Sequence, residues 1–290
     1  MNEKDWTLLV TLAQERSLTR TAQKLYVTQP AVTRRLQQIE RELGCAVVVR
    51  GARGVELSAE GEHLAGYAAQ ELERLRALHE YLDGRSDEVR GTLRLACANA
   101  YAKSRLPGLM RRFATAYPLV DVHVVTGHSG RMGRLLTSGE AQVAFVRGRF
   151  DWGEESFALD ADPYYYVINA VPIDLGCLPE LPQIRNVTDA PLEAELHRWW
   201  TERYRTPPRV STVVDRSDIC LEMVHQGLGY SLLSGLYIPE GSRLRQARIE
   251  FSSGEPLTRE TRVCCRTSSL ELRAVKAFWD FLRREATFPS

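Results

Sequence analysis

The first 43 residues carry apolar positions at helical spacing in three bursts, divided by short polar interruptions. Trp6, Leu9, Val10, Leu12 and Ala13 predict a first helix with one buried face. Ser17 can cap a second helix by accepting a hydrogen bond from the next turn. That helix turns Ala22 and Leu25 inward and ends near Tyr26 and Val27. Thr28 is the next capping candidate, and Pro30 falls in the first turn, where a missing N–H costs nothing. Val32, Leu36, Ile39 and Leu43 bury one side of this third helix, Gln29, Thr33, Arg34 and Gln37 lie on the other, and Gly44 ends it. A strand at 47–50, a Gly-Ala-Arg-Gly turn and a strand at 55–57 then predict a small hairpin.

From 59 to about 88 there is no proline, and Leu64, Ala68, Leu72, Leu75, Leu78 and Leu82 repeat at steps of three and four. That is the seam of a dimerisation helix. A helix packed only against its own domain is the other reading. Beyond Gly91 the pattern alternates between strand and helix. Strands are predicted around Leu93–Cys97, Val122–Thr126, Val143–Val146, Tyr164–Val171, Val210–Val214, Tyr230–Leu233 and Arg262–Arg266. Helices are predicted over Leu106–Tyr117, Met132–Ser138, Leu192–Tyr204, Asp218–Gln226 and Leu270–Leu282. This order predicts two parallel α/β lobes with a late return to the first and a cleft between them.

Composition narrows the picture. A chain of 290 residues, 44% hydrophobic and 26% charged, has room for two or three cored domains. The net charge of +1 does not announce a nucleic-acid partner, but Arg16, Arg20, Lys24, Arg34 and Arg35 fall between positions 16 and 39 with no Asp or Glu among them. The N-terminus lacks a signal-peptide core and no run resembles a membrane span, so a cytoplasmic protein without membrane association is expected. Cys45, Cys97, Cys177, Cys220, Cys264 and Cys265 show no metal-ligand spacing and read as reduced, small apolar core residues, with a redox-sensing pair as the other reading. No metal or cofactor is expected. The absence of a Gly-rich phosphate loop, H-E-x-x-H or G-x-S-x-G argues against an enzyme with a DNA-binding appendage.

Two helices joined by a tight turn and followed by a hairpin have the shape that enters the major groove of double-stranded DNA. Gln29 matches the donor and acceptor of adenine, and Arg34 suits guanine or a phosphate. Thr28 and Thr33 suit backbone oxygens, while Arg50 and Arg53 flank the hairpin turn and can reach a neighbouring groove. In the C-terminal part, ligands are expected at the carboxyl ends of parallel strands and at helix starts. Those rules select Asn99, Ala100 and Tyr101, then His128 and Ser129, Arg147, and Ser217 with Asp218. Arg147 suits an anion, while Ser129 and Ser217 can also be read as helix caps.

The chain resembles the LysR-type bacterial transcriptional regulators over its whole length. The resemblance is carried by Ser17-Leu18-Thr19, Ala22, Leu25, Thr28-Gln29-Pro30-Ala31-Val32-Thr33, Leu36, Ile39-Glu40, Leu43-Gly44, Arg50, Gly54, Leu57-Ser58 and Gly61. Gly91-Thr92-Leu93-Arg94, Leu106-Pro107 and Gly227-Leu228-Gly229 add weaker landmarks. It implies an α+β multidomain fold: a winged helix-turn-helix over 1–58, a linker and dimerisation helix over 59–89, and an effector domain over 90–290 like a periplasmic solute-binding protein. Its first lobe is expected at about 91–161 and 267–290, and its second at about 162–266.

The resemblance further implies a homotetramer on an inverted repeat of promoter DNA, with RNA polymerase a further candidate partner. It also implies a small-molecule effector in the cleft, a carboxylate or an amino acid. Two departures stand out. Val47 and Val48 replace the usual Leu-Phe before the wing arginine, and Ala98-Asn99-Ala100-Tyr101 replaces the hydroxyl residues that commonly hold a ligand carboxylate. The alternative reading is a ligand-independent protein that bends DNA, with a filled or absent cleft.

Overall fold

The computed structural model describes residues 1–51, 54–82, 88–159, 163–239 and 241–287, apart from the side chains at 50–51, 54–55, 76–77, 80–82 and 286–287. Helix α1 (Glu3–Glu15) opens on a reciprocal cap, in which Asn2 accepts from the Asp5 amide and Asp5 accepts from that of Asn2. Ser17 caps α2 (Leu18–Lys24) as its hydroxyl suggests. Thr28 stands at the cap position of α3 (Gln29–Leu43), but its side chain makes no cap bond. Gly44 ends α3 at φ 71°, a left-handed conformation that glycine adopts without steric cost. Leu9, Leu12, Val32, Leu36 and Ile39 close the core between the three helices.

The wing is the antiparallel pair β1 (Val48–Gly51) and β2 (Gly54–Leu57). Glu40 anchors it by accepting from the amides of Val47 and Val48 at 2.8 and 3.3 Å. Helix α4 (Ala59–Leu82) then lies along α1 with Ala65 and Ala68 fully buried. Along the expected seam, Ala68 and Leu64 thus face the chain's own N-terminal core. Leu72 and Leu75 are half-buried, Leu78 is 50% exposed, and the Leu82 side chain lies outside the described residues.

Lobe 1 is built from β3 (Gly91–Ala98), α5 (Asn99–Ser104), α6 (Leu106–Ala116), β4 (Val120–Gly127), α7 (Ser129–Thr137), β5 (Val143–Arg147) and β6 (Glu155–Leu159). Lobe 2 follows with β7 (Tyr165–Asn169), β8 (Gln183–Asn186), α8 (Ala190–Arg203), β9 (Val210–Val214), α9 (Ser217–His225), β10 (Ser231–Ser234) and β11 (Arg245–Arg248). The chain closes with β12 (Thr261–Cys265) and α10 (Arg273–Thr287).

In lobe 1 the strand order is β4-β3-β5-β12-β6, with β3 parallel to β4 and β5. β12 runs antiparallel between β5 and β6, so the return to lobe 1 comes at Thr261 rather than at 267 and the sheet is mixed. Lobe 2 departs further from an all-parallel sheet. β10 and β11 both flank β7 antiparallel, and only β8 with β9 is a parallel pair. Neither neighbour of β7 in the sheet is its successor in the chain: β8, α8, β9 and α9 intervene before β10, so the pairing is not that of a single strand-helix-strand unit, the unit that makes neighbours parallel.

Phe113, Phe145 and Phe278 pack between the lobe 1 sheet and its helices, with Phe113 and Phe278 edge to face at 4.8 Å. Such a pair adds about 0.5–1.5 kcal/mol beyond its buried area. In lobe 2, Trp199 and Tyr230 are wholly buried with Val167 and Ile249. These two cores hold the strand ends and helix starts that face each other across the cleft.

Candidate functional site

The outer face of α3 is exposed at Gln29, Pro30, Arg34 and Gln37. Gln29 donates its amide to Thr33 Oγ at 3.0 Å, and Thr33 donates back to the Gln29 carbonyl at 3.1 Å, so the two side chains stand together on the helix's first turn. Four of the five basic residues between 16 and 39 are spent on carboxylates: Arg16 on Glu62, Arg20 and Lys24 on Glu15, and Arg35 on the buried Asp5. Arg34 makes no ion pair among the described residues. It is exposed, as are Arg16, Arg20 and Lys24, but without a carboxylate beside it. The Arg50 side chain and Arg53 lie outside the described residues. Tyr26, which sequence reasoning treated only as a helix end, is 97% exposed at φ 56° beside Thr28.

A second concave site lies between the lobes. Its walls bring together Asn99, Ala100, His128, Ser129, Arg147 and Ser217, with Tyr165, Asn186, Asp189, Ser234, Tyr237 and Arg259 added by the fold. The space at its centre is about 60 Å³. At roughly 10–15 Å³ per water this admits on the order of five waters, or a ligand of a few non-hydrogen atoms. A wider chamber of about 450 Å³ adjoins it at Asn99, Lys103, Arg216, Ser217, Asp218 and Tyr237. A cleft with this room runs against the filled or absent cleft of a purely architectural protein.

Arg147 ends β5 and is 4% exposed. It donates Nη1 to Ser234 Oγ at 2.6 Å and Nη2 to the Arg259 carbonyl at 2.9 Å. Arg259 returns a bond from its Nη2 to the Arg147 carbonyl and holds Asp189 Oδ2 with both terminal nitrogens at 3.0 Å. Asp189 in turn caps α8 by accepting from the Leu192 amide.

Neither Ser129 nor Ser217 is a helix cap. The cap positions belong to His128 and Arg216, and neither forms a side-chain cap bond. Ser129 instead accepts from the Arg147 amide at 2.9 Å, tying α7 to the end of β5. Ser217 accepts from Asn186 Nδ2 at 2.9 Å, and the Asn186 Oδ1 atom is buried with no hydrogen-bond partner among the described residues. The first turn of α7 therefore leaves backbone N–H groups at the cleft wall with no side-chain cap, whereas in the first turn of α9 Asp218 Oδ1 accepts from the Ile219 amide at 3.1 Å.

Two of the expected residues are placed elsewhere. Tyr101 sits on the inner face of α5, stacked on Phe145 with ring centroids 5.1 Å apart. Burial pushes its hydroxyl pKa up to about 12, and it does not line the cleft. Asp218 pairs with Arg216 in the outer chamber, and that hydrogen-bonded pairing holds its carboxyl below the usual range.

Cys97, Cys220, Cys264 and Cys265 are buried, and burial raises each thiol, as expected of packing residues rather than reactive thiolates. Cys177 is exposed instead, its thiol raised by a hydrogen bond to Asp174. No group of three metal-ligating side chains occurs among the described residues, nor does a helix long and apolar enough to cross a membrane.

Comparison with known proteins places both sites in one family. Residues 4–62 match the model of the bacterial regulatory helix-turn-helix protein, lysR family, and residues 86–287 match the LysR substrate binding domain. The uncharacterized HTH-type transcriptional regulator YraN of Bacillus subtilis is 37% identical over 285 residues, covering 98% of each chain. The chain belongs to the LysR family.

This LysR-family protein is thus a DNA-binding transcriptional regulator. Among solved structures it is similar to a full-length OxyR variant from Pseudomonas aeruginosa (TM-score 0.69, 18% identity, covering 98% of this chain and 95% of that one). It is also similar to full-length CbnR complexed with its target DNA (TM-score 0.56, 20% identity, covering 99% and 100%). Likeness at that identity speaks for the fold alone. The regulator's Arg259, Asp189 and Asn186 escaped sequence reasoning. Asp189 carried a usable signal, as an acidic residue followed two places later by Pro191, which together mark a helix start at Ala190, two residues ahead of the predicted one.

Proposed function

We propose that this LysR-family regulator reads promoter DNA with α3 and responds to a small anionic effector held between its lobes. The observation that carries the effector reading is the meeting, in one cleft, of the uncapped start of α7 with the buried Arg147 guanidinium. Helix starts and a guanidinium both favour a carboxylate. The bare Asn186 Oδ1 adds an acceptor suited to an ammonium or hydroxyl on the same molecule, so a small hydroxy acid or amino acid fits best. Asn99 and Ala100 contribute the adjoining wall through the start of α5, and His128 stands at the start of α7.

On the DNA side, Gln29 reads a base edge, Arg34 reads guanine or holds a phosphate, and Thr28, Pro30 and Thr33 set the helix on the backbone. Arg50 and Arg53 extend the contact from the wing. The protein acts as a homo-oligomer, a dimer that pairs into a tetramer on an inverted repeat. Support comes from Tyr67 and Leu78 on α4, 49% and 50% exposed, and from Val124 and Val125 on the exposed edge strand β4.

Titration calorimetry with small carboxylates and amino acids tests the cleft. Binding is expected for the parent and a loss of at least tenfold for Arg147→Met. Equal affinity in the two proteins would overturn the assignment. Sedimentation of the full chain tests the assembly, with a monomer at all concentrations as the contrary result.

A further inference from the structure

Helix α4 is seated on lobe 1 at two adjoining places. At the first, Glu73 accepts from Arg266 Nη2 at 3.0 Å through one oxygen and from Ser269 Oγ at 2.7 Å through the other. The side chains of Glu73 and Arg266 are each 1% exposed, and Arg94 Nη2 lies 3.8 Å from the same carboxylate. At the second, small residues of α4 rest on the end of α7. A Cβ added at Gly66 would lie 3.1 Å from the Thr137 carbonyl oxygen. One added at Gly139, which has φ +77°, would overlap Ala69 Cβ at 2.1 Å and Arg266 Nη1 at 2.8 Å. The two places therefore form one contact surface around the Arg266 guanidinium.

Both supports reach back to the cleft. Helix α7 starts at Ser129 in the cleft wall and ends at Thr137 under α4, about 12 Å away at 1.5 Å per residue. The segment through β12 starts at Arg259, also in the cleft wall, and ends at Arg266, roughly 23 Å away at about 3.3 Å per residue. Close-packed elements pass a displacement from end to end rather than absorbing it.

On a neighbouring face, toward its N-terminal end, α4 is fixed to the helix-turn-helix. Ala65 and Ala68 are buried in that direction, Ser58 accepts from the Gly61 amide at 2.9 Å, and Gly61 leaves no room for a Cβ against the Val47 carbonyl. A turn of α4 on its seat thus carries the DNA-binding unit with it.

We propose that Glu73 and Arg266 are positioning residues that fix the angle at which α4 and the helix-turn-helix leave lobe 1, and that α7 and β12 convey the state of the cleft to that seat. An ion pair suits this role better than apolar packing. Each carboxylate oxygen has its own donor, so rotating α4 breaks directional bonds, whereas an apolar surface would slide. The conveying half rests on the reading of the cleft as the effector site; the positioning half does not.

The test uses the full-length chain with Cys45 and Cys177 changed to serine, spin labels at Gln38→Cys on α3 and Lys276→Cys on α10, and excess unlabelled protein to isolate distances within one chain. The parent should give one narrow separation. Glu73→Met with Arg266→Met, which fills the seat with apolar groups, should remain folded and give a broad or shifted distribution. Glu73→Gln, close to the parent in shape, should give the same broadening in milder form. An unchanged distribution in either folded variant overturns the positioning role, because a merely stabilising pair would lower the melting temperature and leave the separation alone.

A second arm titrates the labelled parent with acetate, lactate and alanine while following its melting temperature. A ligand that raises the melting temperature should also shift the separation; one that raises it without a shift overturns the conveying half. If none binds, the cleft reading falls, and the positioning result stands by itself.

Discussion

Arg147 and Arg259 each donate to the other's backbone carbonyl at 2.9 Å, although 112 positions separate them in sequence. Two like charges share a buried place because each is satisfied by dipoles and Arg259 also holds Asp189. Removing that cation strands a largely buried carboxylate. Arg259→Met should therefore cost about 3 kcal/mol, the lower end of what breaking a buried pair costs. Denaturant unfolding followed by lobe 2 tryptophan fluorescence measures it, and a loss under about 1 kcal/mol, the worth of an exposed pair, would refute the reading.

Asp5 gives a prediction in pH. Its carboxyl is held below the ordinary value chiefly by the hydrogen bond from Arg35, against the opposing effect of burial. A group whose folded pKa is depressed adds stability above its unfolded pKa of about 3.9, and that stability is lost as pH falls through the lower folded value. Asp5→Asn should thus weaken hydrogen-exchange protection of α1 and α3 at pH 7, and the difference from the parent should shrink below pH 4. A constant difference across that window would count against the Asp5–Arg35 bond as its source.

The two exposed residues on α3 should separate in their effects. Gln29→Ala should lower discrimination at one base pair by about 1–3 kcal/mol while leaving weak binding to random duplex intact. If Arg34 holds a phosphate, Arg34→Ala should weaken binding to all duplexes and reduce the salt slope by about one. Affinities for operator and random DNA at several salt concentrations distinguish the two patterns. Parent-like behaviour of both variants would remove α3 from the interface.

Tyr101 serves as a control on the cleft. Because its ring stacks on Phe145 rather than facing the ligand space, Tyr101→Phe should bind the same small molecules as the parent. A tenfold loss measured by calorimetry would return Tyr101 to the binding wall.

Gly61 tests the joint between wing and linker. A methyl group there would lie 2.1 Å from the Val47 carbonyl oxygen, a contact that backbone alone must relieve. Gly61→Ala should lower the melting temperature and reduce DNA affinity, since the wing is built on Val47 and Val48. Wild-type melting and binding together would show that the joint yields at no cost.

The N-terminal unit was almost fully legible because its signals are local. Val32, Leu36 and Ile39 share one face of a helix whose limits are marked by Thr28, Pro30 and Gly44, all within a few residues. Strands β6, β8 and β11 were not found. They are four or five residues long, and Arg245, Gln246 and Arg248 of β11 look like loop because its register is set by β7, some eighty positions earlier. The cleft was half legible. Rules about strand ends and helix starts located Arg147, Ser129 and Ser217, whereas Arg259 lies in the polar run Leu-Thr-Arg-Glu and is buried only by partners distant in sequence. Tyr101 was misplaced for a related reason. Residues two apart on a helix face nearly opposite ways, so Asn99 and Tyr101 cannot both line the cleft, and the phase of α5 is set by the core beneath it.

The position of β12 between β5 and β6 also constrains how the chain is made. During synthesis β5 emerges more than a hundred residues before the strand that covers its edge, while everything lobe 2 needs lies between those two strands. The helix-turn-helix, and then lobe 2, can complete themselves on the ribosome, but lobe 1 must wait with an open strand edge, a form prone to wrong pairings. A chain stopped between Gly91 and Cys265 would keep its DNA-reading head and carry a permanently unfinished sensor.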